Sequence, residues 1–269
     1  LEAIGLKAAL YRFFIELTNG PFISAALRKF TNSRMSRVFI KSYAAHYQIN
    51  QDEMSKDIRS YSTLHSFFTR RLKEGARVVD NTHDSVASPV DGVIEDTGTI
   101  TSGKEIIAKG KTYSISEMLG SKHQAEKYEG GTYIIIYLSP SHYHRIHSPV
   151  SGKVVNSYSL GSKSFPVNRF GLKFGHSVLA KNHRVVTEIC SEETTVAVVK
   201  VGAMFINSVV VTNTEREWEK GEEVAYFSFG STVILLFQKG AFIPGDIVKS
   251  AGEIKMGEPL GRLSGKKNQ

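Results

Sequence analysis

Two apolar, β-prone runs, Val224-Ala225-Tyr226-Phe227 and Thr232-Val233-Ile234-Leu235-Leu236-Phe237, flank the segment Ser228-Phe229-Gly230-Ser231. The pattern predicts a strand that hands over to a second strand through a glycine and a hydroxyl. Continuous apolar runs over residues 133–138 and 195–201 predict two further buried strands. The amino-terminal part has a different period. Over residues 1–47, Ile4, Ala8, Phe13, Phe14 and Leu17 form one helical apolar face, with Lys7, Arg12 and Glu16 off it. Asn19-Gly20-Pro21 breaks that helix and allows another to start. Phe22, Ile23, Ala26, Leu27 and Phe30 then make a second apolar face, beside Arg28 and Lys29. Met35, Val38, Phe39, Ile40 and Tyr43 make a third, flanked by Arg34, Arg37 and Lys41. A short helix within residues 60–71 would be capped by Ser62 or Thr63 and place Phe67 and Phe68 in a core.

From residue 78 the period shortens to strands separated by Gly, Pro and Asp turns. Ser88-Pro89-Val90-Asp91-Gly92-Val93 is echoed by Ser148-Pro149-Val150-Ser151-Gly152-Lys153-Val154, and Lys220-Gly221-Glu222-Glu223 by Lys255-Met256-Gly257-Glu258. Two copies exclude a solenoid and imply related halves. The expected fold is therefore α+β: a compact, mainly antiparallel β barrel or sandwich with duplicated hairpins, preceded by an amphipathic helical region. Residues 1–77 are expected to form that helical, membrane-associating region and residues 78–269 the β-rich catalytic domain.

Composition narrows the class. An apolar fraction of 41% with 22% charged residues excludes disordered and fibrous chains. A net charge of +8 points to an anionic partner: nucleic acid, acidic membrane or acidic substrate. Basic helices bearing aromatics suit a membrane interface as well as they suit a packed helical cap. The single cysteine, Cys190, excludes an internal disulfide and reads as a small apolar residue. There is no run of 18 apolar residues and no signal-peptide pattern, so neither spanning nor secretion is expected. The sequence opens at Leu1 without methionine, so a few further residues are expected before it.

Chemistry concentrates in Ser139-Pro140-Ser141-His142-Tyr143-His144-Arg145-Ile146-His147, directly after a predicted buried strand. His142, His144 and His147 could ligate a metal if the last were turned back toward the others, but no carboxylate or cysteine follows at fixed spacing. A general base needs less: one imidazole near a hydroxyl and one acid to hold its tautomer. Asp91, in the first hairpin echo, is the candidate acid, and a plain turn residue before Gly92 is the alternative.

These residues also carry a resemblance. Asp91-Gly92, Tyr143-His144-Arg145-Ile146-His147-Ser148-Pro149, Phe165-Pro166-Val167-Asn168, Val201-Gly202-Ala203 and Phe229-Gly230-Ser231-Thr232 occur in the order found in the pyruvoyl-dependent, prokaryotic-type phosphatidylserine decarboxylases. Phe67-Phe68-Thr69-Arg70-Arg71-Leu72-Lys73 resembles that family's amino-terminal segment. The resemblance implies self-cleavage between Gly230 and Ser231 into residues 1–230 and 231–269, with His147 as base and Asp91 orienting it. Ser231 would become a pyruvoyl group that forms a Schiff base with the serine headgroup, and His144 would return a proton after carbon dioxide leaves. The implied partners are phosphatidylserine and an anionic membrane surface, with no nucleic acid and no metal. The two cleavage products would form a heterodimer, with further dimerisation left open. The implied location is the cytoplasmic side of the cell membrane, as a peripheral protein. Asn182-His183-Arg184 departs from the family's usual Asn-Glu-Arg, which leaves the role of His183 open; Phe229 stands where leucine is common. Two alternatives stand beside this reading. One is a metal-dependent hydrolase using His142, His144 and His147. The other is a non-enzymatic membrane-docked carrier module with Lys255 as its attachment point.

Overall fold

The computed structural model describes residues 21–108, 110–163, 165, 177–202, 209–228 and 231–264. The first helical face expected from the sequence, and the Phe229-Gly230 pair, lie outside these residues. The described chain opens with helices α1 (Pro21–Thr31), α2 (Ile40–His46) and α3 (Leu64–Phe68), the first two joined through a 3-10 turn at Arg34–Phe39. Thr63 starts α3 through a reciprocal cap: its hydroxyl accepts from the Ser66 amide, and the Ser66 hydroxyl accepts from the Thr63 amide. Ile40, Ala44, Ile49, Met54, Tyr61, Leu64 and Phe67 form a small core of their own. Met35, Val38 and Phe39 point the other way and remain 74%, 76% and 50% exposed.

Strands follow: β1 (Ser85–Ala87), β2 (Gly92–Thr99), β3 (Glu105–Ala108), β4 (Lys111–Ser114), β5 (Thr132–Leu138), β6 (Arg145–His147), β7 (Gly152–Leu160) and β8 (Arg184–Ser191). The second half holds β9 (Thr194–Gly202), β10 (Val209–Val211), β11 (Glu217–Trp218), β12 (Glu223–Phe227), β13 (Ser231–Phe237), β14 (Phe242–Pro244), β15 (Glu253–Ile254) and β16 (Pro259–Leu263). Short helices α4 (Ile115–Leu119), α5 (Lys122–Glu126), α6 (Val178–Lys181) and α7 (Asp246–Ser250) lie between them. An eight-stranded sheet runs in the order β11-β7-β8-β9-β13-β5-β2-β15, beside three-stranded sheets β10-β12-β6 and β1-β16-β14. The α+β, mainly antiparallel architecture expected from the sequence is the one observed. Among the described residues the large sheet stays open and no barrel closes.

The hairpin echoes are a structural duplication. The Ala87 amide donates to Pro149 O at 2.9 Å, and the His147 amide donates to Pro89 O at 2.8 Å, so the two Ser-Pro-Val turns cross reciprocally. Ser88 Oγ closes on Val90 O and Ser148 Oγ on Val150 O, both at 2.7 Å. Ser88 exchanges backbone bonds with Gly257 and Glu258, as Ser148 does with Gly221 and Glu222. Gly221 and Gly257 occupy equivalent left-handed positions, at φ 83° and 92°, where a side chain would be strained.

Strand β13 is the middle of the large sheet, paired along all its residues with β5 on one side and β9 on the other. Its side chains alternate between two cores. Val233, Leu235 and Phe237 face Ile136, Val198 and Phe227, while Ile234 and Leu236 face Tyr113, Met118 and Tyr128. Burial on both faces explains the unbroken apolar run, each such side chain contributing about 1.5–3 kcal/mol. Lys200 interrupts this economy. It is 1% exposed, its Nζ donates to Thr187 Oγ1 at 2.8 Å, and burial pushes its amine down to about 7.

In the unfolded chain the lysine keeps its proton to about pH 10.4. Between pH 7 and that value the unfolded state therefore binds more protons, and wild-type stability rises with pH. Lys200→Met is expected to stabilise the protein by on the order of 2–4 kcal/mol at pH 7, with the gain shrinking toward pH 10. Denaturant midpoints across that range check it.

Candidate active site

Because β5 and β9 both run antiparallel to β13, their last residues, Leu138 and Gly202, lie beside its first residue, Ser231. Ser231 is fully buried and its Oγ meets no hydrogen-bond partner among the described residues. An orphan hydroxyl in a dry interior costs about 1–3 kcal/mol. Gly202 carries no side chain, so no Cβ flanks Ser231 on that side. The buried Asn182 braces this end. Its Nδ2 donates to Gly202 O at 2.8 Å and to Phe165 O at 2.7 Å, and its Oδ1 accepts from the Phe165 amide. His183 follows it, with its carbonyl accepting from the Gly202 amide and its Nδ1 buried without a partner among the described residues.

The chain leaving β5 carries the histidines to the same end. His144 is fully buried, its ring 3.9 Å from that of Phe68, and among the described residues its ring meets no well-formed hydrogen bond, only a weak approach to the His142 backbone. Burial, reinforced by the charge of Arg70, holds this imidazole well below its ordinary range, so it is neutral. The His144 carbonyl accepts from the Phe227 amide at 2.9 Å, placing the residue at the end of β12 that leads into residues 228–231. Arg70 fixes the loop by donating to Ser141 O and His142 O. His142 turns its Nδ1 to the Ser139 amide at 3.0 Å, a loop-bracing role.

His147 sits farther along the same ribbon, opposite Glu223. Its Nδ1 lies 2.7 Å from Gly221 O; a carbonyl can only accept, so Nδ1 carries the proton and Nε2 keeps its lone pair. Nε2 faces the Tyr143 hydroxyl at 3.2 Å. Burial lowers the His147 pKa, against the opposing pull of the Gly221 bond, Glu223 and Asp91.

The expected contact between Asp91 and the His147 ring is corrected by this arrangement. Asp91 Oδ1 accepts from Arg77 Nε at 2.8 Å and from the Met256 amide at 2.9 Å, and its Oδ2 is gripped by the other Arg77 nitrogen. Arg77 also holds Glu53 at 2.8 Å. The tautomer of His147 is set by a backbone carbonyl, and Asp91 acts on the ring through its charge. Sequence reasoning missed Arg77, Tyr143 as the ring's neighbour, and Asn182. The only signal for Arg77 was a lone cation beside the apolar Val78-Val79. Among the described residues no three His, Cys, Asp or Glu side chains converge as a metal site requires, which counts against the hydrolase alternative. Lys255 is exposed and pairs with Glu53 at 3.5 Å.

The family model for phosphatidylserine decarboxylase matches residues 64–262, which span α3, both echoes, the histidine loop and Ser231. The chain belongs to the phosphatidylserine decarboxylase family. It is 55% identical over 258 residues to the phosphatidylserine decarboxylase proenzyme of Anoxybacillus flavithermus, covering 96% of this chain and 97% of that one. It is 54% identical to the proenzyme of Geobacillus kaustophilus over 95% of this chain and 97% of the relative, and 52% identical to that of Bacillus thuringiensis over the same shares. Family membership thus extends over the helical region as well as the sheets.

The Asp91–Arg77 pair is nearly dry, each side chain being 7% exposed. Arg77→Met strands the carboxylate and is expected to cost roughly 3–5 kcal/mol in denaturant unfolding. Loss below about 1 kcal/mol would contradict the pairing.

Proposed function

We infer that this chain is a proenzyme whose processed form converts phosphatidylserine to phosphatidylethanolamine and carbon dioxide. The observation that carries the reading is Ser231: a buried, unpartnered hydroxyl at the start of a strand locked on both sides, directly after Gly230. A hydroxyl in that position fits self-processing. Its Oγ attacks the Gly230 carbonyl carbon, the peptide C–N bond breaks as the ester C–O bond forms, and the proton passes through the base to the freed nitrogen. Loss of the Ser231 α-proton then expels the Gly230 carboxylate, and water replaces the nitrogen, which leaves as ammonia. The result is a pyruvoyl group at residue 231 and two chains, 1–230 and 231–269.

A keto group at residue 231 supplies an electron sink for the carbanion left by carbon dioxide. The neighbouring residues fit it, because Gly202 puts no side chain beside residue 231 and the site is shut off from water, which favours departure of a charged carboxylate as neutral gas. His147, with Nδ1 tied to Gly221, presents Nε2 as the base for processing once Tyr143 gives way. Asp91 favours the imidazolium electrostatically. His144, uncharged and without a well-formed hydrogen bond among the described residues, is suited to carry a proton to the substrate α-carbon.

The membrane supplies the substrate. Met35, Val38 and Phe39 form an exposed apolar patch with Arg34, Arg37 and Lys41 around it, the arrangement of a peripheral helix on an anionic surface. Among the described residues no helix is long and apolar enough to cross a membrane. We place the protein on the cytoplasmic face of the cell membrane, as a heterodimer of its two cleavage products.

Mass analysis of the denatured wild type is expected to give two pieces meeting at 230/231, the smaller one blocked by pyruvoyl, and Ser231→Ala to stay whole. His147→Ala is expected to slow cleavage by roughly a hundredfold or more, while His144→Ala cleaves but forms phosphatidylethanolamine roughly a hundredfold or more slowly; the reverse pattern would exchange the two roles. Burial holds both imidazoles neutral below their usual pKa, so the acid limb of processing should fall below pH 6.5. Replacing Met35, Val38 and Phe39 together with serine is expected to weaken binding to anionic vesicles by roughly tenfold or more, and salt should weaken wild-type binding. Unchanged sedimentation with vesicles would refute that surface.

A further inference from the structure

Beside the three-stranded sheet lies a cavity of about 480 Å³, lined by Arg28, Lys29 and Asn32 at the end of α1, by His65 of α3, and by Tyr226 and Ser228. Its lining contains no carboxylate. Arg28 and Lys29 form no ion pair among the described residues, so within them two exposed cations border a cavity whose lining offers no acid to neutralise them. Arg28 approaches His65 closely enough to oppose its protonation, adding to the effect of burial, so the imidazole is a neutral hydrogen-bonding partner. A guanidinium, an ammonium, an imidazole and a hydroxyl without an acid is the donor set for a phosphoryl group.

Position narrows the ligand. Ser228 is three residues from Ser231, so their backbones lie within about 11 Å of each other. In a phosphatidylserine headgroup the phosphate is only a few bonds from the reacting amine. On the other side, Lys29 leads directly to Phe30, whose ring packs on that of Phe39 at 5.8 Å, next to the exposed Met35 and Val38. Reactive residue, cationic cavity and apolar patch therefore follow the order of amine, phosphate and acyl chains in a phospholipid. We propose that this cavity is the phosphate subsite of the enzyme, where Arg28 and Lys29 hold the phosphodiester so that the headgroup amine is delivered to residue 231. The assignment rests on the decarboxylase reading. It would let the enzyme distinguish lipid-linked serine from free serine by the phosphate alone.

The test uses the processed enzyme and a short-chain phosphatidylserine kept below its micelle concentration, so that attachment to a surface plays no part. The paired change Arg28→Gln with Lys29→Gln is expected to raise KM by roughly tenfold or more, with the loss in KM and not in kcat, and with self-cleavage complete. Arg28→Lys should recover part of the loss. By calorimetry, glycerophosphoserine should bind the wild type and not the paired variant, and inorganic phosphate should bind more weakly. A wild-type KM in the paired variant, even with vesicle binding reduced, would overturn the subsite. So would inorganic phosphate binding as tightly as glycerophosphoserine, which would mark a free-anion site. A wild type that binds glycerophosphoserine through these residues yet releases no carbon dioxide would refute the decarboxylase reading and leave the subsite standing.

Discussion

The reciprocal crossing of the two Ser-Pro-Val turns is the constraint on which the rest of the molecule depends. Two backbone hydrogen bonds, from Ala87 to Pro149 and from His147 to Pro89, lock the turns face to face. Each turn is closed internally by its own serine hydroxyl. The crossing pins the starts of β2 and β7, and equivalent strands, β15 and β11, then pair with those starts in the same register. Chemistry enters where the copies differ. The position of His147 is filled by Ala87 in the other copy, and that of Asp91 by Ser151. A symmetrical scaffold thus holds one imidazole and one carboxylate near a shared crossing, and the carbonyl of the left-handed Gly221 fixes which imidazole nitrogen carries the proton.

Around that crossing, burial decides charge. His144 and His147 are kept neutral by desolvation, and Ser231 keeps an unpartnered hydroxyl at a cost of about 1–3 kcal/mol. Lys200 shares the face of Ser231 one pair deeper in the sheet, opposite Val233, and its amine too is pushed toward neutrality. Asp91 differs in being fully partnered, its carboxyl held by Arg77 and by the Met256 amide. The site therefore combines imidazoles kept neutral by burial with carboxylates, Asp91 and Glu223, each held by an arginine.

Much of this was legible in the sequence, for identifiable reasons. Strands buried on both faces announce themselves as continuous apolar runs, so β5, β9 and β13 stood out. The echo of Ser88-Pro89-Val90 in Ser148-Pro149-Val150 revealed the duplication because each turn needs the same serine-to-carbonyl closure. Co-occurring motifs singled out Ser231 and the histidine loop. What stayed hidden were partners distant in the chain. Nothing near Asp91 in the sequence points to Arg77 or to the amide of Met256, and a backbone carbonyl such as that of Gly221 has no sequence signature at all. The mistaken contact between Asp91 and the His147 ring arose there: adjacency of the turns was readable, side-chain direction was not. The exposure of Met35, Val38 and Phe39 was equally ambiguous, since an amphipathic face reads the same against a core or a membrane.

The position of Ser231 also bears on the proposed cleavage, since it would let the chain be cut there without losing that residue. A new terminus normally frays. Here residue 231 is held by two complete ladders, to β5 and to β9, and the segment after it supplies β14 and β16 to one sheet and β15 to the edge of another. The preceding stretch is held separately, β12 lying between β10 and β6. A break between 230 and 231 therefore severs two anchored ends and not a strand, and the smaller piece cannot leave without dismantling the central sheet. Burial on both faces of β13 serves stability in the intact chain, and under the proposed processing it would fix a ketone at a defined place.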